Sequence, residues 1–369
     1  MSADNTALAP LRERIDAIDA ELQKLLNERA SLALEVGHIK QAAPGGEPPV
    51  YYRPEREAQI LNALRARNQG PLSDDDIARL FREIISCCLS LEQPLSVAYL
   101  GPAGTYTEMA ALAQFGHFAG TRPLAAIDEV FREVENGGVH FGVVPVENST
   151  EGMVNHTLDC FMEFPRKVRI CAEVELPIHH AFIVHKDRGD APEGLAGIVS
   201  HAQSLAQCRG WLDTHCPGIE RVAVASNAEA ALRVAQDPTW GAIAGEMAAD
   251  RYGLKVLARS IEDLPDNKTR FLVLGRQDVG PSGQDKSSIL VSTRNEPGAL
   301  FRVLEPFHRH GISLTRIETR PARSGDWSYV FFIDFDGHAE QPIVRQALDE
   351  VAQVALEVRI LGCYPRSVM

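Results

Sequence analysis

Apolar residues in the first part of the chain recur at the spacing of one helix face. Leu11, Ile15, Ile18, Leu22, Leu25, Leu32, Val36 and Ile39 keep a 4-3-4-3 rhythm, and the one seam position missing from it is Arg29. The pattern predicts a helix from about Leu8 to Gln41, about 50 Å long at ~1.5 Å per residue. A helix of that length outruns its own small domain, so a partner helix from a second copy is expected to cover the seam. Pro44, Gly45, Gly46, Pro48 and Pro49 break the pattern. Pro54 then opens a second helix to about Arg67. Ser73 caps a third, with Asp74, Asp75 and Asp76 at its positive end, and Pro94 closes the segment.

From Leu95 to about Gly275 the rhythm changes to short apolar strands, small-residue turns and helices. Val97-Leu100, Phe141-Val146, Gly197-Val199, Val222-Ala225 and Gly241-Ala244 are the clearest strands, an α/β pattern. Gln277 to Lys286 is a linker. The remainder runs strand (Ser288-Thr293), helix (Gly298-His310), strand (Ile312-Glu318), strand (Trp327-Phe335), helix (Gln341-Val354), strand (Leu356-Ile360). That order is βαββαβ, a small ferredoxin-like α+β unit. Three domains are expected, at residues 1–93, 95–275 and 286–369, which suits a chain of 369 residues.

Composition changes this picture little. The net charge of −13 argues against nucleic acid or an anionic membrane as partner. No apolar run reaches the roughly 20 residues that span a bilayer. The first ten residues lack the order of a signal peptide. The seven cysteines show no CxxC pairing, so reduced thiols in a cytoplasmic protein are expected, with no metal. Neither a P-loop nor a GxGxxG pattern is present, and no cofactor is expected.

A charge in an apolar seam needs a partner. For Arg29 that is a bound anion, or Glu28 or Glu57 across an interface, and spacing does not separate these. Arg12 and Lys40 adjoin seam positions, Glu57 shares a face with Leu61 and Leu64, and Cys88 and Glu92 continue the face of Ile84. Leu11-Arg12-Glu13-Arg14-Ile15-Asp16, Glu28-Arg29, Glu35 to Lys40 and Arg56-Glu57 together resemble the AroQ-type chorismate mutases, all-helical intertwined dimers. The resemblance implies that Arg29, Arg56 and the partner copy's Arg12 hold the substrate carboxylates. It implies that Glu57 accepts from the ring hydroxyl, and that Lys40 and Glu92 donate to the ether oxygen, with Cys88 nearby. Many relatives carry Gln at position 92 and Ser at 88. A glutamate donates only when protonated, so mutase activity is expected to fall as pH rises.

In the α/β segment, Gly101-Pro102-Ala103-Gly104-Thr105, Ser200-His201-Ala202-Gln203-Ser204 and Ser226-Asn227-Ala228-Glu229 each link a strand to a helix N-terminus. Free N–H groups there suit a carboxylate ligand. Polar clusters at Val144 to Ser149 and Asn267 to Phe271 are expected in loops. Of His179 and His180, one is expected to be a buried structural residue. Gly101 to Glu108, Pro145 to Ser149, Ser200 to Gln203 with Gln207-Cys208, and Thr269-Arg270-Phe271 resemble prephenate dehydratase. The resemblance implies two lobes similar to a type-2 periplasmic binding protein, with the site in the cleft. Thr269 is then the catalytic residue, Asn148, Ser200 and Gln207 shape the site, and Arg270, Thr105 and Ser149 are further candidates. A threonine hydroxyl is a poor acid, so a polarising neighbour is required: Lys268, Arg270 or a helix end.

Asn295 to Leu300 and Glu318-Thr319-Arg320-Pro321 are structural turns by spacing, and together they resemble the ACT domain of phenylalanine-regulated dehydratases. That resemblance implies L-phenylalanine bound at a dimer interface near Gly298, Ala299, Leu300, Glu318, Thr319 and Arg320. The expectation is a bifunctional enzyme taking chorismate and prephenate, at least a homodimer. A dehydratase with a merely dimerising helical segment, and a non-catalytic sensor, are the competing readings. Arogenate, which differs from prephenate in one amine, is a competing substrate.

Overall fold

The structure is a computed structural model that describes residues 3–42, 50–164, 167–189, 191–322 and 329–367. The breakers from Pro44 to Pro49 and the start of the predicted strand at Trp327 lie outside those residues.

Helices α1 (Ala3–Ala42), α2 (Pro54–Arg67) and α3 (Asp74–Glu92) form the first part. Their ends follow local chemistry. Pro54 sits in the first turn of α2, and the Ser73 hydroxyl accepts from Asp76 N–H at the start of α3. Helix α1 packs on α3 near Gly37, where an added Cβ would lie 3.3 Å from the Glu92 backbone. The seam residues of α1, Leu11 to Ile39, are nevertheless 44% to 71% exposed in the single chain. The apolar stripe is thus long and uncovered, as its periodicity predicted.

The second part has two sheets. Its elements are β1 (Ser96–Leu100), α4 (Tyr106–Phe115), β2 (Gly120–Leu124), α5 (Ile127–Asn136), β3 (Phe141–Asn148), β4 (Gly152–Met153), α6 (Asn155–Glu163) and β5 (Arg169–Pro177). The chain then crosses to β6 (Ala181–His185), β7 (Gly197–His201), α7 (Ala202–Gln207), α8 (Arg209–His215), β8 (Arg221–Val224), α9 (Asn227–Gln236), β9 (Trp240–Ala244), α10 (Glu246–Tyr252) and β10 (Leu254–Ala258). It returns as β11 (Lys268–Gly275), which inserts between β3 and β5. The first sheet runs β2-β1-β3-β11-β5 and the second β10-β6-β9-β7-β8. Two crossings between two sheets make the expected two-lobed molecule, with the cleft at the strand ends.

The third part is β12 (Asp285–Ser292), α11 (Ala299–Arg309), β13 (Leu314–Pro321), β14 (Tyr329–Asp336), α12 (Pro342–Val354) and β15 (Glu357–Pro365), in sheet order β13-β14-β12-β15. One face of this sheet packs on its helices through Ile289, Val291, Ile333 and Phe335. The other packs on the first lobe, where Leu290, Phe332 and Leu361 share a core with Leu272 and Leu274. No helix among the described residues is long and apolar enough to cross a membrane.

Candidate functional sites

Helices α1, α2 and α3 enclose a cavity of about 330 Å³. Arg29, Lys40, Arg56, Glu57, Cys88 and Glu92 all line it, so six residues named from the sequence meet in one place. Lys40 Nζ donates to Glu92 Oε2 at 2.9 Å and to the Tyr51 carbonyl at 3.3 Å. Arg29 Nη1 reaches the Ile84 carbonyl at 3.4 Å. Within the chain the Glu57 carboxylate accepts from Arg82 Nε at 3.1 Å, both side chains buried. Burial raises the Glu57 pKa above the ordinary glutamate value, against the pull of Arg82 and Tyr52. Arg12 is not among the residues lining the cavity. It is 17 positions before Arg29 on α1, about 25 Å along the axis. Tyr51, Tyr52 and Arg53 line the pocket and were missed in the sequence, although the aromatic pair just before Pro54 was a visible signal.

In the two-lobed part, Thr269 is on strand β11 rather than in a loop, paired in register with Asn148 on β3. Asn148 Oδ1 accepts from Thr150 N–H, Thr150 Oγ1 and Glu151 N–H, at 3.0, 2.6 and 3.1 Å. These three donors fix the amide, so its Nδ2 must face Thr269 Oγ1, to which it donates at 2.8 Å. An oxygen that accepts such a bond is polarised and keeps its own proton free to donate. Asn148 is thus the side chain that donates to the Thr269 hydroxyl.

The same amide donates to Asn267 Oδ1 at 3.0 Å, and Ser149 Oγ caps the turn by accepting from Lys268 N–H. Across the cleft, Gln207 Nε2 donates to Thr150 Oγ1 at 2.8 Å, while its Oε1 meets His180 Nε2 at 2.8 Å and Asn267 Nδ2 at 3.2 Å. Gln207 thus ties the second lobe to the turn that holds Asn148. His180 is the buried member of the histidine pair, its pKa lowered by burial, and His179 is half exposed. Thr150, Asn267 and His180 were not singled out as site residues; they belong to this network only through tertiary contacts.

One expectation needs correction and two are narrowed. Arg270 does not reach the cleft: its side chain is buried on the opposite face, donating to Glu173 at 2.8 Å, Asp334 at 2.7 Å and the Tyr364 hydroxyl at 2.9 Å. Burial opposes its charge, but Tyr364, Asp334 and Glu173 outweigh that and raise its pKa. Ser200 is fully buried, and its hydroxyl reaches Asn227 Oδ1 and the Ile243 carbonyl rather than open cleft. Thr105 caps α4, accepting from Glu108 N–H and donating to the Leu100 carbonyl. Ser200 and Thr105 shape the cleft wall without offering a free hydroxyl.

In the third part, Gly298 adopts a left-handed φ of 77° that opens α11 into Ala299 and Leu300. Residues of β13 alternate in burial: Glu318 and Arg320 turn inward, Thr319 outward. Arg320 makes a two-pronged ion pair with Asp159 of α6, both bonds 2.8 Å, so it is committed to the first lobe and leaves the expected effector set.

A cation-lined cavity in the helical part and a polar network between the two lobes, with a third unit docked behind the strand that carries Thr269, define a multidomain protein with two candidate sites. Residues 97–279 match the prephenate dehydratase family, residues 11–93 chorismate mutase type II, and residues 287–353 the ACT domain. A bifunctional chorismate mutase/prephenate dehydratase of Pseudomonas aeruginosa is 56% identical over 368 residues, covering 100% of both chains. The enzyme of the same description from Escherichia coli K12 is 30% identical over 390 aligned positions, covering 99% of this chain and 97% of that one. The solved prephenate dehydratase of Arthrobacter aurescens in complex with L-Phe superposes with a TM-score of 0.69 at 34% identity, over 74% of this chain and 90% of that one. The chain belongs to the bifunctional chorismate mutase/prephenate dehydratase family. It carries an isomerase and a lyase activity in one polypeptide, with an ACT regulatory domain.

Proposed function

We propose that the two reactions run in the helical cavity and at the Thr269 network between the lobes, residues 1–93 serving the mutase, 95–275 the dehydratase and 286–369 the effector response. The mutase needs no nucleophile, only confinement of the reactive conformer and stabilisation of charge on the ether oxygen. Arg29 and Arg56 bind the substrate carboxylates, joined by Arg12 of a second copy, since Arg12 lies about 25 Å from its own chain's cavity. Lys40, held by Glu92 at 2.9 Å, donates to the ether oxygen, and Glu92 completes that side of the pocket. Ionised Glu57 accepts from the ring hydroxyl, with Cys88 packing beside it. A homodimer that covers the α1 seam is the smallest assembly that completes this site.

In the dehydratase, Thr269 protonates the leaving hydroxyl while CO2 departs and the ring becomes aromatic. The single observation that carries this role is the fixed Asn148 amide donating to Thr269 Oγ1. Ser149, Gln207, Ser200 and Thr105 orient the cleft around it. L-Phenylalanine binds the ACT domain near Gly298, Ala299, Leu300 and Thr319, with Glu318 beneath, and inhibits the dehydratase. The seven unbridged cysteines support a reducing, cytoplasmic setting.

Thr269→Ala tests the central assignment. Phenylpyruvate formation from prephenate is expected to vanish while chorismate conversion continues at the wild-type rate. Near-normal phenylpyruvate formation would reject Thr269 as the donor.

A further inference from the structure

Thr269 and Arg270 are consecutive on β11, so their side chains leave opposite faces of the sheet. The same holds one strand away. Asn148 pairs in register with Thr269, and Glu147 pairs with Arg270. The front pair is the proton donor and its polarising amide. The rear pair is bound to the ACT domain: Arg270 to Asp334 of β14, and Glu147 to Arg316 of β13. Arg316 Nε also lies 4.0 Å from Asp334 Oδ2, which joins the four charges into one cluster. Arg270 is further anchored by Glu173, which itself pairs with Lys286 of β12 at 2.7 Å, and by Tyr364 of β15. Three ACT strands, β13, β14 and β15, therefore touch Arg270 or Glu147 directly, and the fourth, β12, reaches Arg270 through Glu173. The register slips between Arg270 and Phe271, a bulge that sets this end of β3 and β11 apart from the regular ladder behind it.

We propose that Arg270 and Glu147 are positioning residues: they act through Thr269 and Asn148, and they carry the state of the ACT domain to the dehydratase cleft. A buried guanidinium keeps its partners, because losing one leaves a charge without compensation. A shift of β13 and β14 against the first lobe therefore moves Arg270 and Glu147 rather than releasing them. Their backbones are continuous with those of Thr269 and Asn148, so the hydroxyl and the amide move with them. L-Phenylalanine bound far from the cleft then changes the geometry of proton donation without touching substrate. The proposal rests on Thr269 being the donor.

The test uses the full chain with Arg316→Gln and Asp334→Asn, each of which keeps a hydrogen-bonding side chain of similar size. Dehydratase activity is titrated with L-phenylalanine, L-phenylalanine binding is measured by calorimetry without prephenate, and mutase activity reports folding. The half-inhibitory concentration is expected to rise at least about tenfold while binding changes by less than about threefold. The exchange Glu147→Arg with Arg316→Glu is expected to recover part of the inhibition lost in Arg316→Gln. Arg270→Lys, which keeps charge but not three fixed partners, is expected to lower dehydratase kcat with little change in KM. Unchanged inhibition in both Arg316→Gln and Asp334→Asn would overturn the proposal, as would loss of L-phenylalanine binding in parallel with loss of inhibition. Failure of the donor reading shows separately, as dehydratase activity surviving in Thr269→Ala.

Discussion

A hydroxyl group has one proton, and what it does with that proton depends on which atoms around it already donate. At Thr269 the donating neighbour is Asn148, whose carbonyl oxygen is occupied by three donors of the following turn. Asn148→Asp replaces the donating amide by an acceptor. Thr269 would then give its proton to residue 148, and dehydratase kcat is expected to fall about a hundredfold or more, with mutase activity intact. A loss of less than about threefold would mean that the amide does not polarise the hydroxyl. The mutase pocket has its own titrating group. Burial raises the Glu57 pKa, and in the proposed role it is the ionised carboxylate that accepts from substrate. As pH falls through that raised value the carboxylate is protonated and acceptance is lost. The acid limb of mutase kcat/KM is therefore expected above the ordinary glutamate range near pH ~4.3, and Glu57→Gln should abolish the limb. A mutase profile with no raised acid limb, unaffected by Glu57→Gln, would refute that role.

At the scale of elements, one helix and one strand matter most. Helix α1 carries an apolar stripe that its own chain leaves exposed, from Leu11 through Ile39. Such a stripe is stable in water only when covered. Leu22→Glu with Ile18→Glu places two charges in the seam. The expected result, read by sedimentation and by separate assays, is weaker self-association and loss of mutase activity with the dehydratase largely spared. Retention of both association and mutase activity would show that α1 is not the dimerising surface. Strand β11 shows a different principle. Its alternation gives Thr269 to the cleft and Arg270 to the ACT domain, so adjacent residues of one motif serve different sites. Reading Arg270 as a cleft residue treated the motif as a loop, where alternation does not apply. Strand β5 was missed for a related reason. Glu173 and Glu175 interrupt its apolar run, yet Glu173 is buried because Arg270 and Lys286 neutralise it.

At the scale of the whole molecule, the chain is a linear series of three units whose outer two both reach the middle one. The helical part is joined to the dehydratase by Tyr52, whose hydroxyl accepts from Gln114 of α4 at 2.7 Å and whose ring packs on Phe115 and Phe141. The ACT sheet shares an apolar core with the first lobe and crosses to it through Arg316, Arg320 and Asp334. An effector domain attached in this way is part of the wall behind the catalytic strand, and the coupling inferred above follows from that shared wall.

The periodicity of the chain by itself determined the long first helix with its unpaired seam, the caps at Ser73 and Ser226, and the βαββαβ order of the last part. Those features depend on residues within a few positions of each other, and local spacing states which face is apolar. It also singled out Arg29, Glu57, Cys88 and Glu92 as polar groups on apolar faces and Lys40 beside the seam, and the structure gathers these residues in one cavity. What only the tertiary structure decided is who partners whom. Arg82 with Glu57, Arg270 with Glu173 and Asp334, and Arg320 with Asp159 join residues 25 to 161 positions apart. A buried charge is tolerated only beside its counter-charge. Where that counter-charge stands is a property of the folded chain, since no local rhythm encodes it.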